Sequence, residues 1–121
     1  VTYAFDAEAS NEITATLTFK DANGNALGAG TRVYVTLCTD ASGLVIEPHS
    51  STLTIASGAV GAVELKAAAN ALGHSGFYVA TGATGIAEVS ITQTSGADTF
   101  YLATNLPNGK LSVSSVITFA A

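Results

Sequence analysis

Residues 87–119 read AEVSITQTSGADTFYLATNLPNGKLSVSSVITF, and this stretch decides the fold. It contains three runs in which apolar and polar residues alternate, with Asn108-Gly109 between the second run and the third. An Asn-Gly pair between alternating runs is the strongest short-range signal for a β-hairpin. The alternation predicts one face that packs on a core, as in antiparallel sheets. The residues predicted for that face are Phe100, Leu102, Leu106, Leu111, Val113, Ile117 and Phe119.

The same period-two pattern recurs through the rest of the chain. Residues 12–20 and 32–39 alternate regularly, and shorter runs follow at 51–56, 59–66 and 76–81. Turn residues separate the runs at the roughly 8–12-residue spacing that is typical of β-sandwiches. The sequence therefore predicts an all-β, immunoglobulin-like antiparallel β-sandwich of about seven to nine strands.

The chain of 121 residues is long enough for one domain, which the pattern assigns to residues 12–121. Residues 1–11 (VTYAFDAEASN) stand apart from it, and their alternation indicates either a first strand or an arm that pairs with a neighbour. Only residues 67–72 (AAANAL) favour a helix, and they are long enough for one short turn.

The composition excludes two classes of partner. Charged residues make up 11% of the chain and the net charge is −5, whereas an ordinary domain has about 25% charged residues. The four basic residues are spread along the sequence, so the concentrated basic surface that nucleic acid requires is absent. A net negative charge also disfavours anionic membranes, and no apolar run is long enough to span a bilayer. A surface built from Thr, Ser, Asn, Gly and Ala suggests a protein of an assembly or of the cell exterior.

The residues that carry most catalytic chemistry are few here. A single cysteine, Cys38, excludes an intrachain disulfide. It follows Leu37 on an alternating run, so we expect it to face away from the core as a small semi-buried residue rather than a reactive thiol. His49 lies in residues 47–51 (EPHSS), and His74 is distant in sequence. A catalytic triad is assembled in space from rigid elements, so we interpret residues 47–51 as a solvated polar loop.

Two oxygen-rich segments raise the question of calcium. Asp6, Glu8 and Glu12 form a loose acidic cluster, and residues 21–25 read DANGN. Calcium takes about six to eight oxygen ligands, but the turn lacks the downstream glutamate of an EF-hand loop. An Asn-Gly pair also serves as an ordinary hairpin turn. We therefore predict no catalytic residue, no metal site and no cofactor.

Two groups of proteins share phrases with this chain. The segments NEITATLTFKDANGNALGAGTRVYVTL and ATGATGIAEVSIT resemble the bacterial immunoglobulin-like repeats of invasin- and intimin-type surface proteins. The closing phrase TFYLATNLPNGKLSVSSVITFA resembles immunoglobulin-like domains in structural proteins of tailed bacteriophages. Together these segments cover about two thirds of the chain, and the closing phrase is the more specific of them.

The phage resemblance implies a non-enzymatic virion structural protein. Within that class it implies a capsid decoration or auxiliary protein on the capsid surface, with a tail component as the second placement. Its partners would be the major capsid protein or other virion proteins, and many copies would take part. The invasin resemblance implies an alternative, a cell-surface adhesin or spacer module.

The aromatic residues are the candidates for contact with such a partner. Exposed tyrosines are enriched in interfaces, and the interface residues that we predict are Tyr3, Phe5, Tyr34 and Tyr78. A row of aromatic side chains also stacks on sugar rings, so a carbohydrate-binding module is a further alternative. The chain contains no tryptophan, which weakens that alternative.

Overall fold

Ten β-strands and no helix make up the part of the chain that the computed structural model describes, namely residues 1–44, 53–64, 76–94, 97–106 and 109–120. The strands are β1 (Thr2–Phe5), β2 (Glu12–Thr18), β3 (Arg32–Cys38), β4 (Leu53–Ser57), β5 (Ala62–Glu64), β6 (Gly76–Ala80), β7 (Ile86–Gln93), β8 (Asp98–Asn105), β9 (Leu111–Val113) and β10 (Ile117–Phe119). The helix-favouring residues 67–72 lie outside the described residues.

The strands form two antiparallel sheets that pack face to face. The first sheet has the order β1-β2-β7-β4, and the second has the order β10-β8-β3-β6-β5, with β9 also paired to β8. Immunoglobulin domains place four strands in the order A-B-E-D opposite a sheet that contains C, F and G. The fold is accordingly a β-sandwich of the immunoglobulin-like type, and the predicted fold class is confirmed.

One apolar core fills the space between the sheets, because alternate side chains of each strand point into it. In the first sheet, Ile13 of β2 lies opposite Ile91 of β7 in the strand register. In the second, the rings of Phe100 and Phe119 meet edge to face with centroids 6.1 Å apart. The buried core residues are Ile13, Ala15, Leu17, Phe19, Val33, Val35, Leu37, Ile55, Phe77, Val79, Ala87, Val89, Ile91, Phe100, Leu102, Ile117 and Phe119.

The first strand is fastened across the sandwich by one side chain. β1 pairs with β2 at the edge of the first sheet, and Tyr3 points inward from it against the core. The Tyr3 hydroxyl hydrogen-bonds to the Thr104 hydroxyl at 2.7 Å and donates to the Ser112 carbonyl at 3.0 Å. Since Thr104 is fully buried in the second sheet, this bond satisfies a polar group that is shielded from water.

A β-bulge divides the C-terminal run and corrects part of the predicted face. Val113 of β9 lies opposite Ala103, whereas Ile117 of β10 lies opposite Phe100. Two residues (101 and 102) separate those partners on β8, but three (114–116) separate Val113 from Ile117. One extra residue reverses the face that the following side chains occupy.

The prediction that Leu111 and Val113 share the core face with Phe100 is therefore wrong. Both lie on the outer face beside Ala103, and Leu111 is 43% exposed. Ile117 and Phe119, beyond the bulge, do reach the core. The break also turns one expected C-terminal strand into two.

Ser114 completes the hydrogen bonding at this bulge. Its N–H donates to the Leu102 carbonyl at 2.8 Å, and its hydroxyl accepts the Leu102 N–H at 2.9 Å. The same hydroxyl donates to the Ser115 carbonyl at 2.7 Å. A side chain thus takes the place that a backbone carbonyl holds in a regular antiparallel pair.

Replacing Ser114 with Ala is expected to lower the free energy of unfolding by about 1–3 kcal/mol, because the buried Leu102 N–H loses its acceptor. Urea unfolding followed by circular dichroism measures the loss. Ser115→Ala is the matched control, since the Ser115 side chain is exposed, and it should change stability by less than about 0.5 kcal/mol. Equal losses for the two variants would contradict this role of the Ser114 hydroxyl.

Candidate interaction surfaces

Two of the four predicted interface residues form a pair on the outer face of the second sheet. Tyr34 of β3 lies directly opposite Tyr78 of β6 in the strand register. Their rings meet edge to face, with centroids 5.0 Å apart and planes at 60°. Tyr78 is 41% exposed, and Tyr34 is half-buried beside it. The sandwich thus presents an aromatic pair to solvent on a rigid sheet.

The register extends this pair into a row across the sheet. Asn105 of β8 lies opposite Tyr34, and Leu111 of β9 lies opposite Asn105. Directly opposed residues share one face of an antiparallel sheet, so these four side chains form one outward surface. We call Tyr34, Tyr78, Asn105 and Leu111 the tyrosine face. None of the four is charged.

Gly76 makes room for the aromatic pair. A Cβ at this position of β6 would collide with the Tyr34 hydroxyl, so the Tyr34 ring lies over the glycine backbone. Aromatic cover of a strand glycine replaces packing that glycine itself lacks. The orientation of Tyr34 therefore depends on the absence of a side chain at Gly76.

A charged residue borders the tyrosine face on β3. Arg32 precedes Tyr34 by two positions and is exposed, so it lies on the same outer face of the sheet. An uncharged centre with a charged residue at its margin agrees with the usual anatomy of a protein–protein contact, in which a polar rim surrounds a less polar centre.

The other two predicted interface residues lie elsewhere. Tyr3 and Phe5 are on β1, in the opposite sheet, and both are partly buried against the core. The structure thus separates them from Tyr34 and Tyr78 and places them on an edge strand. An interface role for Tyr3 and Phe5 stays a prediction at this point.

The outer face of the first sheet has a different chemistry. A groove of about 490 Å³ crosses it, floored by Thr14 and Thr16 and bordered by the carboxylates of Asp6 and Glu88. Both carboxylates accept backbone hydrogen bonds: Asp6 Oδ1 from the Thr14 N–H at 2.7 Å, and Glu88 Oε1 from the Ala59 N–H at 2.8 Å. These acidic groups hold strands and turns in place.

The suggested calcium segments have structural roles of the same kind. Asp21 Oδ1 accepts the N–H groups of Asn23 and Asn25, both at 2.9 Å, so it closes the turn that the DANGN run predicts. Glu8 Oε1 accepts the Ala120 N–H at 2.7 Å, far from that turn in sequence. In the part of the chain that the structure describes, no three or more His, Cys, Asp and Glu side chains are arranged to hold a metal ion.

Cys38 faces away from the main core, as its position in β3 predicts, but it is fully buried rather than semi-buried. It lies opposite Tyr101 of β8, and its sulfur is 3.5 Å from the Thr36 hydroxyl. His49, His74 and the polar run 47–51 lie outside the described residues.

Comparison with known proteins found no relative of this chain. No model of a protein family matches the chain, and neither a curated protein nor a solved structure does. Within the described residues, no helix has the length and apolar character needed to cross a membrane. The two packed sheets define the class of this protein, an immunoglobulin-like β-sandwich.

Proposed function

We propose that this protein is a non-enzymatic structural protein of a tailed bacteriophage virion, and that it decorates the capsid surface by docking on the major capsid protein. The tyrosine face is the observation that carries the proposal. It combines an exposed aromatic pair with two neutral neighbours on one face of a sheet, and tyrosine is among the residues that dominate the binding energy of many protein interfaces.

The rigidity of the support favours this surface for docking. Tyr34 and Tyr78 are held by strand pairing on both sides of β3 and by contact with each other. A surface that is already ordered loses little conformational entropy when it binds. The partner that fits is a neutral, partly apolar protein patch with polar groups at its margin, opposite Arg32.

The low charge of the whole chain fits the same role. Only 11% of the residues are charged, so few charged side chains have to be removed from water when copies pack on a shell. Many modest contacts on a repeating shell add up to strong collective attachment through multivalency. A compact sandwich that carries one docking face per copy suits that arrangement.

The proposal is tested by counting copies in purified, nuclease-treated phage particles with quantitative mass spectrometry. A copy number close to that of the shell subunits is expected. A handful of copies per particle would place the protein in the tail or at a vertex. Detection only within a large cell-envelope protein would overturn the proposal in favour of the adhesin or spacer module.

The docking face is tested separately with purified shells that lack this protein. Tyr78→Ala is expected to weaken attachment at least about tenfold, as truncation of a central aromatic contact does. Thr99→Ala is the matched control, because Thr99 is exposed on β8 of the same sheet, and its binding should be unchanged. Unchanged binding of both variants would exclude the tyrosine face. Binding to a glycan array that Tyr78→Ala abolishes would favour the carbohydrate-binding alternative.

A further inference from the structure

The edge strand β1 has backbone groups that pair with no strand of the described residues. Asp6 N–H donates to the Thr14 carbonyl at 3.2 Å, directly after β1. Hydrogen-bonded and non-hydrogen-bonded pairs alternate along antiparallel strands, so Thr2 and Ala4 direct their backbone groups to β2. Tyr3 and Phe5 therefore direct theirs away from the sheet. In the described part of the chain, β1 pairs with β2 alone.

This edge lacks the charged side chains, proline and bulges that normally block pairing with another chain. Natural edge strands are protected by charged side chains, proline, bulges or shortness. In the second sheet, β5 has three residues, and the bulge at Ser114 interrupts the edge formed by β9 and β10. At the far edge of the first sheet, Ser57 at the end of β4 accepts the Val63 N–H of β5. β1 has four residues, TYAF, without charge or proline.

We propose that β1 pairs antiparallel with β1 of a second copy of this chain, about a two-fold axis at Ala4. In this register Tyr3 lies opposite Phe5 of the other copy, and each such pair exchanges two backbone hydrogen bonds. The two four-stranded sheets join into one continuous sheet. The contact is isologous, so it closes as a dimer and does not extend into a fibre.

The choice of register follows from the two faces of the strand. Tyr3 and Phe5 face the core, whereas Thr2 and Ala4 face outward. A continuous sheet must keep both cores on one side, which leaves registers centred on Tyr3 or on Ala4. The Ala4 register forms two aromatic pairs, Tyr3 with Phe5 in each direction, whereas the Tyr3 register forms one, and cross-strand aromatic pairs are favourable.

The Ala4 register also places a hydroxyl group opposite a carboxylate. Thr2 comes opposite Asp6 of the second copy, just beyond the strand. Asp6 Oδ1 already accepts the Thr14 N–H, which leaves Oδ2 to accept the Thr2 hydroxyl. The register centred on Tyr3 leaves Asp6 without this contact, so we assign the dimer to the Ala4 register.

A cysteine at the axis tests this register. Ala4 faces Ala4 of the second copy as a non-hydrogen-bonded pair with a Cα separation of about 4.5 Å, which lies within the range that a disulfide spans. Purified Ala4→Cys is expected to form a covalent dimer under mild oxidation. Thr2→Cys should form no covalent dimer, and neither should the parent chain, because Cys38 is buried. Equal cross-linking of Ala4→Cys and Thr2→Cys would overturn the register.

Sedimentation of the isolated protein tests the association itself. The parent chain is expected to show reversible, concentration-dependent dimers. Ala4→Lys should remain monomeric, because it sets two ammonium groups against each other at the axis. The Ala4 side chain is exposed, so the thermal unfolding midpoint of dilute protein should stay unchanged. A parent chain that is monomeric at every accessible concentration would refute the proposal. Since no shell is present, failure here is separate from failure of capsid docking.

Discussion

Phe100→Ala is expected to lower the free energy of unfolding by about 3–5 kcal/mol, the usual cost of removing a buried aromatic ring. Phe100 is fully buried in β8 and meets Phe119 of β10 edge to face. Its loss opens a cavity at the point where the last strand is fastened to the sheet. A domain of this size has about 5–15 kcal/mol of stability in total, so a large share of it depends on this ring.

Thr99→Ala is the matched control for that experiment, because Thr99 is the exposed neighbour on the same strand. Its effect should stay within about 0.5 kcal/mol. Equilibrium unfolding in urea gives both values, and an unchanged slope of free energy against urea shows that the transition is comparable. Similar losses for the two variants would mean that the Phe100 ring is not packed as described.

Gly85→Ala is expected to cost about 3 kcal/mol or more, for two reasons that add. Gly85 has a φ of +74°, where a residue with a side chain pays about 1–2 kcal/mol. A Cβ would also come within 2.6 Å of the Phe19 carbonyl oxygen and 3.0 Å of the Leu27 nitrogen. Both atoms are backbone, and Phe19 N–H donates to the Gly85 carbonyl at 2.9 Å. The turn has to move away from β2 to admit a methyl group.

Gly24→Ala separates the two causes. Gly24 has a similar φ of +84°, but nothing lies within 4 Å of its missing Cβ. This variant should lose only the conformational part, about 1–2 kcal/mol. The difference between the two losses, measured as before by urea unfolding, reports the close backbone approach at Gly85. Equal losses would show that the backbone around Gly85 makes room for a methyl group at no cost in stability.

The regular strands could be predicted from the sequence because their alternation is local. In residues 12–18, Ile13, Ala15 and Leu17 alternate with threonines, so only one face of the strand is apolar and can pack on a core. The turn at Asp21 could also be predicted from the sequence, because an Asn-Gly pair and a carboxylate two residues before it stabilise the turn locally.

The bulge could not be found by counting alternate residues. Leu111, Val113, Ile117 and Phe119 keep an even spacing in sequence, so the pattern continues across the extra residue without a visible break. Which of them reach the core depends on their partners in β8. That information lies in the register between strands rather than in either strand alone.

The candidate surface was predictable in part. Residue type predicts Tyr34 and Tyr78 as contact residues, but their pairing with each other depends on the register of β3 against β6. Asn105 and Leu111 join the tyrosine face through two further strand pairs. Nothing in their local sequence distinguishes them from other strand residues.

The burial of Cys38 makes this residue a built-in probe of local opening on the outer face of the second sheet. A thiol reagent in water reaches the sulfur only when the groups that cover this face of β3 move away, because the side chain is fully buried. The rate of labelling then equals the opening rate when the reagent is abundant, and follows the open population when it is scarce. One natural residue thus measures how long this face of β3 stays covered, without an added probe.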